Sequence, residues 1–298
     1  LFKIREKIAN DIPSGMKSAI GCGIGLFIAF IGLQNCGIIV SDKNTHVALA
    51  HFDSPSVILA LIGIVVCGLL VVRNVRGGLL WGILLTALVG VPMGVTHPGE
   101  LFSAPPSLAP IFLQFEWTHL LSWDMFAVVF AFLFVDLFDT IGTVIAISLK
   151  VGMVEKDGTV DGVGRMLMAD AVATTAGACL GTSTTTTYVE SAAGVAVGGR
   201  TGLTAFVVAV CFALALFLSP LFLAIPAAAT GPVLIIVGVM MCSNTTGVNW
   251  DDYTEAISAF VTMLMMPLSY SISDGIMLGT IMYVLMKMGA GDRDRKSV

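Results

Sequence analysis

Four carboxylates stand inside stretches that are otherwise apolar: Asp136 and Asp139 in FVDLFDTIGT (134–143), Asp170, and Glu190. Glu255 and Asp274 sit near the ends of similar stretches. A charge in a membrane-spanning helix costs about 2.5–3.5 kcal/mol on insertion, so residues retained there usually have a task. No Lys, Arg or His is expected deep in the same stretches, so these acids lack an obvious fixed basic partner and suit proton binding and release. Asp136 and Asp139 are three apart and share one helix face, with Thr140 and Thr143 a turn further on. Their functional reading is a proton- or substrate-binding pair facing a cavity. The alternative is a hydrogen bond to a neighbouring helix. Asp139 lies deeper along its stretch and is the stronger functional candidate, whereas Asp170 is read as structural.

Glu190 belongs to the stretch GTSTTTTYVESAAGVAVGG, residues 181–199. A polar, β-branched run at 182–187 gives way to a short helical pattern stopped by Gly198 and Gly199. These nineteen residues are too few for a strand plus a full membrane crossing. The expectation is an extended half-crossing followed by a short helix, with Glu190 three residues inside the helix start. Thr187-x-x-Glu190 also matches a capping box, in which Glu190 merely satisfies a helix N-terminus. Irregular backbone at membrane depth is tolerated only within protein or against a water-filled cavity. The backbone N–H groups of Val189, Glu190 and Ser191 would then be available to a ligand, with Tyr188 beside them.

The elements that must position these groups follow from composition. The chain has 298 residues, 56% hydrophobic and only 12% charged, with net charge −5. Its mean hydropathy is +0.94. Ordinary globular domains are about 25% charged, so the class is a polytopic, all-α membrane protein. Ten segments can be drawn at 18–39, 56–72, 77–93, 121–149, 164–180, the broken 182–197, 201–218, 225–241, 254–267 and 272–288. If they alternate, fourteen of the fifteen Lys and Arg residues fall on one side, Lys43 alone on the other. The positive-inside rule then places both ends in the cytoplasm, in the cell (plasma or inner) membrane.

Other motifs carry less. The six cysteines show no zinc or redox spacing and read as small packing residues. EKDGTVDG lacks the alternating acids of a calcium loop, and GCGIG near Gly21 has no preceding strand for a nucleotide site. No cofactor, metal or nucleic-acid partner is expected, and no nucleophile set suggests an enzyme. The chain starts without Met or a signal pattern and reads as a fragment. Gly78 and Gly82 in segment three register with Gly275 and Gly279 in segment ten, and Ile12-Pro13 with Ile225-Pro226. Units that begin seven segments apart must be inverted, a mark of secondary transporters.

FVDLFDTIGT, TTYVESAAG, WDDYTEAISAF and PLSYSISDGI together resemble the adenine/guanine/hypoxanthine permeases, the AzgA-like branch of the nucleobase–cation symporter-2 (nucleobase–ascorbate transporter) family. The resemblance covers essentially the whole chain. It implies fourteen segments in a 7+7 inverted repeat, of which these would be the last ten, with one broken by a short strand whose partner lies upstream. It also implies a gate domain from 1–95 and 219–298, an outer loop at 96–120, and the second half of a core domain at 121–218. The activity implied is proton-coupled symport of purine nucleobases. Asp139 and Glu190 match the family's essential acids, Thr143 stands where some relatives have His, and Tyr188, Val189 and Ser191 lie beside the base. Asp139, Asp136 and Glu190 are the proton-coupling candidates. The implied partners are a purine, a proton and the lipid bilayer, with a homodimer left open. The alternatives are a uracil/xanthine permease or an anion exchanger of the same fold.

Overall fold

A computed structural model describes residues 11–97, 99, 102–105, 107–115, 123–154, 159–160, 162–188 and 190–290. Val189, residues 155–158 of the EKDGTVDG loop, and the basic residues Lys3, Arg5, Lys7, Lys156, Arg293, Arg295 and Lys296 lie outside that set. The described chain is mostly helical, and its helices follow the apolar segments within a few residues.

Helix α1 spans Ser14–Asn35. It begins earlier than the apolar pattern suggested because Pro13 opens it: the Lys17 N–H donates to the Pro13 carbonyl at 2.9 Å. Lys17 is therefore in the first turn of a helix and fully buried, not in a solvated flank. A two-residue hairpin that the sequence reading did not anticipate follows, β1 (Ile39–Val40) pairing antiparallel with β2 (Ala48–Leu49). Asp42 closes its tip by accepting from the N–H groups of Asn44 (2.8 Å) and Thr45 (2.9 Å). Helix α2 (Pro55–Val72) starts on a proline and α3 (Gly78–Gly90) packs back against it. Gly82 meets Cys67 with no room for a side chain, the close approach that small residues permit.

The remaining elements are α4 (Trp123–Val151), α5 (Val163–Leu180), the short α6 (Ser191–Ala196) and α7 (Gly202–Ala215), then α8 (Ser219–Leu223) and α9 (Ala227–Cys242). A 3-10 turn at Ser243–Gly247 leads into α10 (Tyr253–Ser269) and α11 (Ile272–Gly289). Among the described residues, three stretches are long and apolar enough to cross a membrane: Ser14–Asn35, Pro55–Val72 and Ala227–Gly247. Helix α7 buries none of its fourteen residues and is apolar on every side, as only a membrane or further protein can accommodate.

Two compact units result. One comprises Leu1–Phe27, Ser107–Ala192 and Met241–Val298; the other comprises Ile28–Pro106 and Ala193–Met240. In the second, Cys36, Ile38, Val57, Leu59, Ala60 and Ala228 form the core. In the first, Leu137, Ile141, Val144 and Ile145 of α4 pack on Val163 and Leu167 of α5. There α4 also packs on α11, where a side chain at Gly142 would meet Ile276 at 3.0 Å and Ile272 at 3.3 Å. The α10–α11 hairpin turns through Tyr270, left-handed at φ 56°, and is close-packed because Gly275 abuts Met266 and Gly279 abuts Thr262.

Candidate functional site

The connection between α5 and α6 decides the site. Helix α5 stops at Gly181, whose φ of +79° ends the helical path without a Cβ penalty. Thr182–Tyr188 then runs as irregular backbone that pairs with no strand among the described residues. Hydroxyls hold it instead. Thr174 on α5 donates to the Thr185 carbonyl at 2.8 Å. Thr187 donates to Asp170 Oδ1 at 3.4 Å, and Thr140 on α4 donates to Asp170 Oδ2 at 3.1 Å. Thr140 lies 3.2 Å from Thr186, and a hydroxyl has one proton, so towards Thr186 it accepts. Asp170 is buried and ties α4, α5 and the irregular segment together, which fits its structural reading.

A cavity of 130 Å³ opens between α4 and this segment, lined by Phe132, Asp136, Asp139, Thr184 and Thr186. Asp136 and Asp139 thus share one face and one cavity. Asp139 Oδ1 is buried and has no hydrogen-bond partner among the described residues. The start of α11 adjoins the same carboxylate, and Asp136 and Asp274 are the charged groups that act on it. Two carboxylates and two hydroxyls facing a small space can accept N–H donors, donate to ring acceptors and take up a proton. A larger groove of 680 Å³ in the other unit is lined by Arg76 and mostly apolar residues, with no carboxylate, so the chemistry belongs to the smaller cavity.

The other predicted residues are placed differently. Thr143 is buried on α4 one turn beyond Asp139 and does not line the cavity. Tyr188 is exposed. Glu190 is also exposed and immediately precedes α6 instead of sitting three residues inside it. The capping box does not organise this turn: the helix begins only after Glu190, and the Thr187 hydroxyl donates to the buried Asp170 carboxylate. The Ser191 N–H is taken by the Tyr188 carbonyl at 3.2 Å, which removes it from the donors expected for a ligand. Val189 lies outside the described residues.

Sequence reasoning did not single out Thr184 or Thr186 within this constellation. The threonine run was visible, but which hydroxyls turn inward is a tertiary property. The start of α11 had a signal: Ser271-x-x-Asp274 is a helix-opening motif, and Ser271 Oγ does accept from the Asp274 N–H at 3.2 Å.

Comparison with known proteins places the chain. Residues 1–278 match the model of the Permease family that groups xanthine and uracil permeases. A permease homologue of Methanocaldococcus jannaschii is 49% identical over 98% of this chain and 67% of its own length. The guanine/hypoxanthine permease PbuG of Bacillus subtilis is 44% identical over 98% of this chain and 67% of its own. The adenine permease AdeQ of Escherichia coli is 40% identical, covering 98% and 66%. The chain therefore spans about two thirds of the length of these relatives. It belongs to the xanthine/uracil permease family and is a multi-pass membrane transport protein, not an enzyme.

Proposed function

We propose that this chain mediates proton-coupled uptake of purine nucleobases across the cell membrane. The observation that carries the reading is the cavity where Asp136 and Asp139 face the hydroxyls of Thr184 and Thr186. Relatives named for adenine and for guanine/hypoxanthine transport support the substrate class. A planar base presents N–H donors and ring-nitrogen acceptors on its edge, and this lining offers both complements. Asp139 Oδ1 accepts a base N–H, the Thr184 hydroxyl donates to a ring nitrogen, and Glu190 closes over the base from the start of α6. Proton uptake by Asp139, with Asp136 and Glu190 as secondary carriers, neutralises the cavity and biases the equilibrium between outward and inward states. Tyr188, Val189, Ser191 and Thr143 complete the surroundings of the base.

The proposed scaffold is a 7+7 inverted repeat. Residues 1–95 and 219–298 belong to a gate domain and 121–218 to a core domain, with the 96–120 loop outside, both ends cytoplasmic, and assembly as a homodimer. The test is uptake of a radiolabelled purine by the whole transporter in cells lacking their own carriers. Asp139→Asn and Glu190→Gln should each abolish most uptake, and unlabelled adenine, guanine and hypoxanthine should compete where uracil does not. Near-normal uptake by both variants would sink the site. Uptake indifferent to the proton gradient would sink the coupling.

A further inference from the structure

A hydroxyl has one proton to give and two lone pairs to offer, so a chain of hydroxyls has a direction. A charge at one end sets that direction. Asp170 on α5 is buried, and hydroxyls reach both of its oxygens: Thr187 donates to Oδ1 at 3.4 Å and Thr140 to Oδ2 at 3.1 Å. Thr140 is buried too, and its single proton goes to the carboxylate because an ionised acceptor makes the stronger bond. In the 3.2 Å bond between Thr140 and Thr186, Thr186 is therefore the donor. Thr186 lines the 130 Å³ cavity with Asp136, Asp139 and Thr184. With its proton committed to Thr140, it presents a lone pair there.

We infer that Asp170, acting through Thr140, fixes Thr186 as a hydrogen-bond acceptor, so that the cavity selects bases by their N–H donors. The inference rests on the purine-site reading above and names the part of the purine that is recognised. Three lining groups then accept: the carboxylates of Asp136 and Asp139 and the Thr186 hydroxyl. Among the described residues, Thr184 is the lining hydroxyl left to donate. Asp139 Oδ1 is buried without a partner, which adds to the demand for a donor. A base edge that answers this lining brings at least two N–H hydrogens, as an exocyclic amino group does, or an amino group beside a ring N–H. A base that lacks the matching N–H leaves the Thr186 oxygen unsatisfied, and sites built to hydrogen-bond a donor reject such analogues strongly. Asp170 and Thr140 line no part of the cavity and act as positioning residues. The bonds that anchor the irregular segment thus also set the polarity of its inner face.

Competition against uptake of a radiolabelled purine, by the whole transporter in cells lacking their own carriers, tests the polarity. One set of competitors lacks an N–H donor: purine set against adenine, and hypoxanthine, 1-methylguanine and 9-methylguanine set against guanine. The other set lacks a ring lone pair: 1-, 3- and 7-deazaadenine set against adenine. Thr186→Val keeps the shape of an exposed residue and removes its hydroxyl. It should abolish a penalty of about fivefold in the donor-deleted set and leave the deaza set unchanged. Thr140→Val leaves the Thr186 hydroxyl in place without the bond that orients it, and should cut the same penalty to about twofold or less. Thr140→Ser keeps both bonds and should retain the penalty in full. Each penalty is a ratio of affinities within one protein, so a general loosening of the segment cancels from it. A Thr186→Val effect as large in the deaza set makes Thr186 a donor and overturns the inference. Penalties within about twofold of wild type throughout Thr186→Val, or unchanged in Thr140→Val, overturn it as well. Should Thr140→Val fail to reach the membrane, the Thr186→Val comparison decides alone. Wild-type protein that takes up no purine sinks the purine reading and the inference with it. Wild-type protein that takes up purines with penalties that do not depend on Thr186 sinks the inference alone.

Discussion

Thr174→Val isolates the tether of the irregular segment. Valine keeps the shape and the apolar contacts of α5, and deletes only the hydroxyl that donates to the Thr185 carbonyl at 2.8 Å. A side-chain hydrogen bond of this quality contributes about 1 kcal/mol net. Thr185 is half-buried, so its carbonyl can recover part of its bonding from water and the cost should not climb towards that of a sealed, orphaned acceptor. One kcal/mol corresponds to a roughly fivefold rise in local opening. Amide exchange of a peptide spanning 182–188 should therefore quicken about fivefold, while a peptide from the middle of α5 stays unchanged. Thr140→Val deletes two bonds at once, to the Asp170 carboxylate (3.1 Å) and to Thr186 (3.2 Å), so it disturbs a second anchor of the same segment and is no measure of the Thr174 tether. Apparent purine affinity should hardly move in Thr174→Val, because affinity falls only by the fraction of molecules already open. Exchange within about twofold of wild type in Thr174→Val would refute the idea that Thr174 tethers the segment.

Three other outcomes are expected. A side chain at Gly279 overlaps the Thr262 hydroxyl, so Gly279→Leu should destabilise the α10–α11 hairpin by about 1–3 kcal/mol, read as reduced protein surviving detergent heating; unchanged survival contradicts the packing. Cys22 and Cys242 pack together in one apolar cluster. Diamide should oxidise the pair to a disulfide while being reduced to the hydrazine, and peptide mapping that finds both thiols still alkylatable would exclude it. Asp252 caps α10 by accepting from the Thr254 hydroxyl (2.7 Å) and N–H (2.9 Å), with Lys287 at 3.5 Å, and these hold its carboxyl below the ordinary range. A lowered carboxyl stabilises the folded state above its unfolded pKa of about 3.9 and loses that contribution as pH falls through the folded value. The exchange protection factor at the start of α10 should thus be flat from neutral pH to about pH 5 and fall only in stronger acid; a fall between pH 7 and 6 would point to another group.

Much of the molecule was legible in one dimension because a membrane-crossing helix satisfies its own backbone locally. Apolar length alone located the cores of α1, α2, α4, α5, α9, α10 and α11, and Pro55 and Gly181 mark where helices begin and stop. Asp136 and Asp139 on one face follow from the 3.6 period without any structure. The β1–β2 hairpin escaped because two-residue strands are too short to show a period, although the Asp42–Thr45 turn chemistry was there to read. Glu190 was misplaced because the backbone stays irregular up to it and turns helical only at Ser191, while the Thr187 hydroxyl is engaged by the buried Asp170 carboxylate seventeen residues away.

What only the tertiary structure decided is the pairing of polar groups far apart in the chain. Thr140 on α4 meets Asp170 on α5, and Thr187 reaches the same carboxylate. Those bonds depend on how helix faces pack, which composition and spacing do not encode. The sequence determined that acids would stand in an apolar setting, since the cost of placing them there is a property of each residue and its neighbours. That Asp139 Oδ1 is buried without a partner beside the cavity is a property of the packed fold.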